Sequence, residues 1–81
     1  MRSSPANANV QTTALWTAFH DRLRGFLRRR VGEAEVDDVL QEVFIRIHRG
    51  LLRGDVPRDA NAWVHRITRT TLIDHYRARA G

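Results

Sequence analysis

The sequence predicts an all-α fold, a small bundle of three main helices with a flexible N-terminal arm. Three observations carry this. Eighty-one residues make one small domain with a modest core. Apolar residues recur at three- and four-residue spacing over three long stretches. No stretch alternates with the period of two expected of a strand, and there is no internal repeat.

Residues 1–10 (MRSSPANANV) are small and polar, and read as the arm. The first helix is expected from Gln11 or Thr12 to about Val31. Leu15, Trp16, Phe19, Leu23, Phe26 and Leu27 share one of its faces. Thr12 or Thr13 is its candidate cap, and Gly32 can end it in a left-handed conformation. Arg28, Arg29 and Arg30 close it. Cations suit a last turn, and a phosphate-facing patch is the alternative.

The second helix is expected from about Glu33 to Leu51, with acids early and arginines late, as the helix dipole favours. At about 100° per residue, Val36, Leu40, Val43, Phe44, Ile47 and Leu51 form one stripe. Asp38, Gln41, Glu42, Ile45 and Arg49 fall opposite. An apolar residue inside a polar ring is a layout used for protein contacts, although single exposed apolar residues are also ordinary. Gly50 to Asp59 reads as a loop, with two glycines and a proline. Asp59 is the expected N-cap of a third helix over about Ala60–Arg79. Val64, Ile67, Thr71 and Ala78 form its core stripe, with Trp63 at the border. Arg66, Arg69, Ile73 and Arg77 lie about 180° away, between Thr70 and Tyr76.

The net charge is +5, and all 14 basic residues are arginine. Forked guanidinium donors suit phosphate and carboxylate, so the charge favours an anionic partner, either nucleic acid or an acidic protein surface. There is no cysteine, which excludes disulfides and thiolate zinc sites. No run of about 20 apolar residues spans a membrane, and no secretory signal opens the chain. These features fit a cytoplasmic protein.

No enzyme chemistry stands out. His20, His48, His65 and His75 have no metal-ligand spacing, and serine occurs only in the arm. Asp37, Asp38 and Glu42 lie on a helix, without a glycine-bearing loop to wrap a cation. No catalytic residue, metal or cofactor is expected. The arginine stripe is the nucleic-acid signal: Arg66, Arg69 and Arg77 can follow a phosphate backbone. Trp63, His65 and Tyr76 offer stacking surfaces. A solvated face is the alternative for the stripe, and core packing for Trp63.

Two stretches resemble a known family. Asp38-Val39-Leu40-Gln41-Glu42-Val43-Phe44-Ile45-Arg46-Ile47 resembles the D-L-V-Q-E-V-F-L-R-L signature of bacterial RNA polymerase sigma factors, in the extracytoplasmic-function (ECF) branch of the sigma-70 family. Ala62 to Arg77 resembles that family's W-L-Y-R-I-A-R-N-x-x-I-D-x-x-R run. Leu23-Arg24-Gly25-Phe26-Leu27 also fits, and the similarity covers about residues 12 to 80. Thr70 stands where the family usually carries asparagine.

The resemblance implies a region 2 domain over residues 11–81. Its second helix would dock on the β′ clamp helices of core RNA polymerase through Asp38, Gln41 and Glu42, around Ile45, with Arg49 beside them. Its third helix would hold the non-template strand of the −10 promoter element and help open the duplex. Trp63, Arg66, Arg69, Thr70, Ile73 and Arg77 are the expected DNA-binding residues. The 51–61 loop, with Arg53, Asp55, Arg58 and Asn61, would pocket a flipped base. An anti-sigma factor is a further expected partner, and no membrane is. Such proteins normally carry a second, −35-reading domain, which these residues lack. The chain is therefore expected to be an excised domain or a fragment, binding polymerase and single-stranded −10 DNA weakly. Two alternatives stay open: a module that only binds proteins, and an unrelated basic bundle that binds nucleic acid by charge.

Overall fold

The computed structural model describes residues 5–80, with side chains from Asn7 onward. The predicted three-helix, all-α architecture is present: α1 (Pro5–Arg28), α2 (Glu33–Arg53) and α3 (Ala60–Ala80). Helix α2 is central and packs against both α1 and α3. Its stripe of Val36, Leu40, Val43, Phe44, Ile47 and Leu51 is buried as expected, joined by Val39. Phe19, Leu23 and Leu27 meet it from α1, and Val64 and Leu72 from α3.

The ends of α1 differ from expectation. The helix begins at Pro5 rather than near Gln11, so residues 5–10 are helical, while 1–4 lie outside the described residues. Ala8 is fully buried, which anchors this early turn in the core. Thr12 and Thr13 do not cap. Their hydroxyls donate back to Ala8 O (2.8 Å) and Asn9 O (2.9 Å), one turn earlier in the helix. The C-terminal end falls at Arg28, not Val31, and Gly32 is not left-handed. Leu27 O accepts from the amides of both Arg30 and Val31, and the Tyr76 hydroxyl donates to Arg30 O at 2.6 Å. These bonds turn the chain without a left-handed residue. Gly32, at φ −64° and ψ 151°, is instead the extended residue that starts α2.

Helix α2 runs to Arg53 rather than ending near Leu51. Gly50 is buried inside the helix, because α3 leans on it there. A Cβ at Gly50 would lie 2.9 Å from Trp63 Cζ2 and 3.1 Å from Asp55 Oδ2. The true stop is Gly54, left-handed at φ 95°. The amide of Gly54 donates to Leu51 O and that of Asp55 to Gly50 O, both at 3.0 Å, a Schellman closure.

Asp59 caps α3 as expected: its Oδ1 accepts from the Ala62 amide at 3.1 Å. The buried stripe of α3 is Val64, Thr68, Thr71 and Leu72, with Ile67 half-buried. Ala78 is exposed, because the end of α3 extends beyond the core. Thr68 and Thr71 are tolerated inside because each hydroxyl donates to the carbonyl four residues back, at 2.8 and 2.7 Å. Trp16 is also more exposed than its stripe implied, at 42%. It sits on the rim, with its ring centroid 4.8 Å from that of Phe44.

Candidate protein and nucleic-acid interfaces

The polar ring on α2 is real but divided. Asp38, Gln41, Ile45 and Arg49 are exposed and Glu42 is half-buried. Gln41, Ile45 and Arg49 face a groove between α1 and α2 of about 800 Å³. Trp16, Leu40 and Leu52 form part of its lining. Ile45 is 37% exposed and Leu52 46%, so this groove joins apolar side chains that the sequence scatters. Asp38 and Glu42 lie on the other flank, in a cleft shared with Thr71, Asp74 and His75 of α3.

Arg46 fixes that second flank. Its Nε donates to Glu42 at 3.0 Å and its Nη1 to Asp74 at 2.9 Å. Glu42 first, and then Asp74, hold the guanidinium more firmly charged than usual. Arg24 of α1 pairs with Asp37 in the same way, and that contact holds the Asp37 carboxyl below its ordinary range. These ion pairs tie both outer helices to α2, but each is partly solvated and contributes modestly.

The α3 surface has a different character. Arg66, Arg69, Thr70, Ile73 and Arg77 are all exposed, as their spacing predicts. Arg66, Arg69 and Arg77 make no ion pair with any described residue, so the charge of the stripe is not neutralised locally. Between α2 and α3 lies a polar cleft of about 340 Å³, lined by Arg46, Arg49, Arg53 and Arg66 with Trp63 and Thr70. No acid lines it. Trp63 is half-buried here, edge-on to Gly50 and open to the cleft, so it serves both packing and surface.

Sequence reasoning misses the share of α2 in this cleft. Arg53 joins Arg46 and Arg49 there because α2 continues past Gly50, and the three- and four-residue spacing of these arginines is the sequence signal for it. The expected loop pocket does not assemble as a unit. Arg53 is on α2 and donates to Asp55 at 2.9 Å. Asn61 is in the first turn of α3 and accepts from Arg22 of α1 at 3.1 Å. Arg58 is exposed, and Asp55, Arg58 and Asn61 line none of these three clefts.

Two of the histidines join neighbouring helices. His48 Nδ1 lies 2.8 Å from Thr12 Oγ1. That hydroxyl already donates to Ala8 O, so the imidazole is the donor. His75 Nε2 lies 3.0 Å from Glu35 Oε1, and Arg79 also reaches that oxygen. Among the described residues, no three His, Cys, Asp or Glu side chains gather as a metal site would require. Among the described residues, no helix is long and apolar enough to cross a membrane.

By fold and surface the chain is a small all-α module with two chemically distinct faces, an apolar groove and an arginine cleft. The sequence profile of Sigma-70 region 2 matches residues 15–81, and the chain belongs to that family. It is 39% identical over 66 residues to the RNA polymerase sigma factor SigZ of Bacillus subtilis (strain 168), covering 80% of this chain and 38% of that protein. It is 37% identical over 60 residues to the ECF RNA polymerase sigma factor SigF of Caulobacter vibrioides (strain NA1000 / CB15N), covering 72% of this chain and 34% of that protein. The chain thus spans little more than a third of the length of these curated relatives. No solved structure matches it. The resemblance to the ECF branch agrees with these findings, and so does the expectation that the chain is not an enzyme.

Proposed function

We propose that this domain acts in transcription initiation as region 2 of an ECF sigma factor, docking on core RNA polymerase and engaging the −10 promoter element in the cytoplasm. The observation that carries the reading is the pair of chemically distinct faces that share α2. The α1–α2 groove is apolar, with Gln41 and Ile45 on its wall, and suits a helical protein partner. The α2–α3 cleft is lined by four arginines around Trp63, and suits a single strand whose bases stack while its phosphates pair.

In this reading, Asp38, Gln41, Glu42, Ile45 and Arg49 meet the β′ clamp helices. Arg66, Arg69 and Arg77 hold phosphates of the non-template strand. Trp63, Thr70 and Ile73 lie where the strands separate, and a flipped base would have to draw Arg53, Asp55, Arg58 and Asn61 together from their separate places. Opening the duplex costs a few kcal/mol per unstacked base, offset by stacking and polar contacts.

The test has two arms. Asp38→Arg or Gln41→Ala weakens binding to a β′ clamp-helix fragment and leaves helicity intact. Separately, the domain prefers non-template −10 single strand over a scrambled strand, and Arg66→Ala weakens that binding. Unchanged β′ binding together with equal affinity for every strand would falsify the reading. Capture of an anti-sigma protein without any DNA preference would favour the protein-binding alternative.

A further inference from the structure

The arginine face does not end with α3. One cleft of about 520 Å³ runs along α3 past Ala62, His65, Arg66, Arg69, Thr70 and Ile73. A second, of about 460 Å³, is lined by Phe26, Arg30, Arg69, Leu72 and Ile73. Arg69 and Ile73 belong to both, and the Phe26 ring lies 6.3 Å from that of His65. The two therefore form one trough, leading from α3 onto the end of α1.

The three consecutive arginines at that end are not equivalent. Arg28 pairs with Glu33 at 3.4 Å. Arg29 is exposed and makes no ion pair with a described residue. Arg30 folds back: its guanidinium carbon lies 3.7 Å from the Phe26 ring centroid, and its Nη1 donates to Phe26 O at 2.9 Å. A favourable helix dipole accounts for cations at this end, but it does not require Arg30 to stand on an aromatic ring at the rim of a cleft. No acid lines either half of the trough. By contrast, the cleft between Asp38 and Asp74 is edged by acids.

We propose that Arg29 and Arg30 extend the strand path from α3 onto the α1–α2 turn, contacting phosphates of the same single DNA strand that Arg66 and Arg69 hold. Leu72 and Ile73 give the trough an apolar floor for an unpaired base, and Arg30 and Arg69 stand on its rims for the flanking phosphates. This rests on the reading of α3 as the DNA face.

The experiment measures binding of the 81-residue chain to a fluorescein-labelled single-stranded DNA by anisotropy across a salt series. Removing one arginine–phosphate pair lowers the slope of log K against log salt by about 0.7. Arg29→Ala/Arg30→Ala is expected to lower it by about 1.4 and to weaken low-salt binding on the order of tenfold, with Arg30→Lys recovering most of its share. Arg29→Ala alone touches no ion pair, and provides the same reading if the double variant loses helicity by circular dichroism. An unchanged slope in these variants, while Arg66→Ala and Arg69→Ala lower it, overturns the extension and spares the α3 reading. An unchanged slope in all of them overturns both. Full DNA binding with abolished binding to polyglutamate would assign the turn to an acidic protein, and the proposal would fail.

Discussion

The indole of Trp63 rests edge-on against Gly50, where a methyl group would come within 2.9 Å of the ring. The close approach lets α3 lean on bare α2 backbone and points the rest of the ring into the arginine cleft. Gly50→Ala removes that approach. Alanine favours a helix interior by about 1 kcal/mol, but overpacking costs about 1–3 kcal/mol, so a net loss of about 1 kcal/mol is expected. The Trp63 ring is displaced at the same time. Thermal unfolding and near-ultraviolet circular dichroism, with Trp16→Phe as background, check both effects.

Ile45 is a surface residue with an apolar groove beside it. Ile45→Arg is expected to change stability by no more than about 0.5 kcal/mol, since it breaks no core contact. Binding to the β′ fragment should fall at least about tenfold, as for a central interface residue. Titration calorimetry and a melting curve on the same sample separate the two.

Glu35 gathers Arg79 and His75 of α3 onto the start of α2. The Arg79 contact above all, against some desolvation and with help from His75, holds its carboxyl below the ordinary value of 4.5. The unfolded chain therefore takes up this proton more readily than the folded one. The stabilisation is complete above about pH 4.5 and is lost as pH falls through the depressed folded value. Glu35→Gln should flatten this part of the acid limb of stability against pH, measured by urea unfolding. An identical acid limb in both proteins would discard the linkage.

Asp59 holds the first turn of α3 through the Ala62 amide. Asp59→Ala should cost about 1 kcal/mol, with Asp59→Asn largely neutral. Hydrogen exchange at the amide of Ala62 reports the loss locally.

Core substitutions should divide by shape rather than polarity. Leu23→Ala, at a fully buried position, is expected to cost about 2–5 kcal/mol. Thr68→Val keeps nearly the same volume, and the hydroxyl it removes bonds only to Val64 O. A cost of about 1 kcal/mol or less is expected there. Denaturant midpoints compare them directly.

The buried stripe of α2 is legible in the sequence because one helix face meets two neighbours and every position on it is apolar. The buried stripe of α3 is only half legible. Thr68 reads as polar in sequence, yet its hydroxyl is satisfied within its own helix, so burial costs little. The early start of α1 is illegible for a similar reason: Ala8 anchors it without an apolar periodicity around it. Gly50 reads as a breaker because local propensity cannot see Trp63 arriving from another helix. The exposed arginines of α3 follow from spacing alone. The split of the α2 ring into a groove and an acid-edged cleft does not, since it depends on α1 and α3 flanking the same helix.

Arg49 borders both the apolar groove and the arginine cleft, so the two surfaces meet along a single helix. A helix with its side chains is about 10–12 Å thick, and no loop or hinge intervenes. Under the proposed function, the bearing of the polymerase and the bearing of the DNA strand would be set by one rigid rod. The domain would then work as a set square: seating one edge fixes the angle of the other.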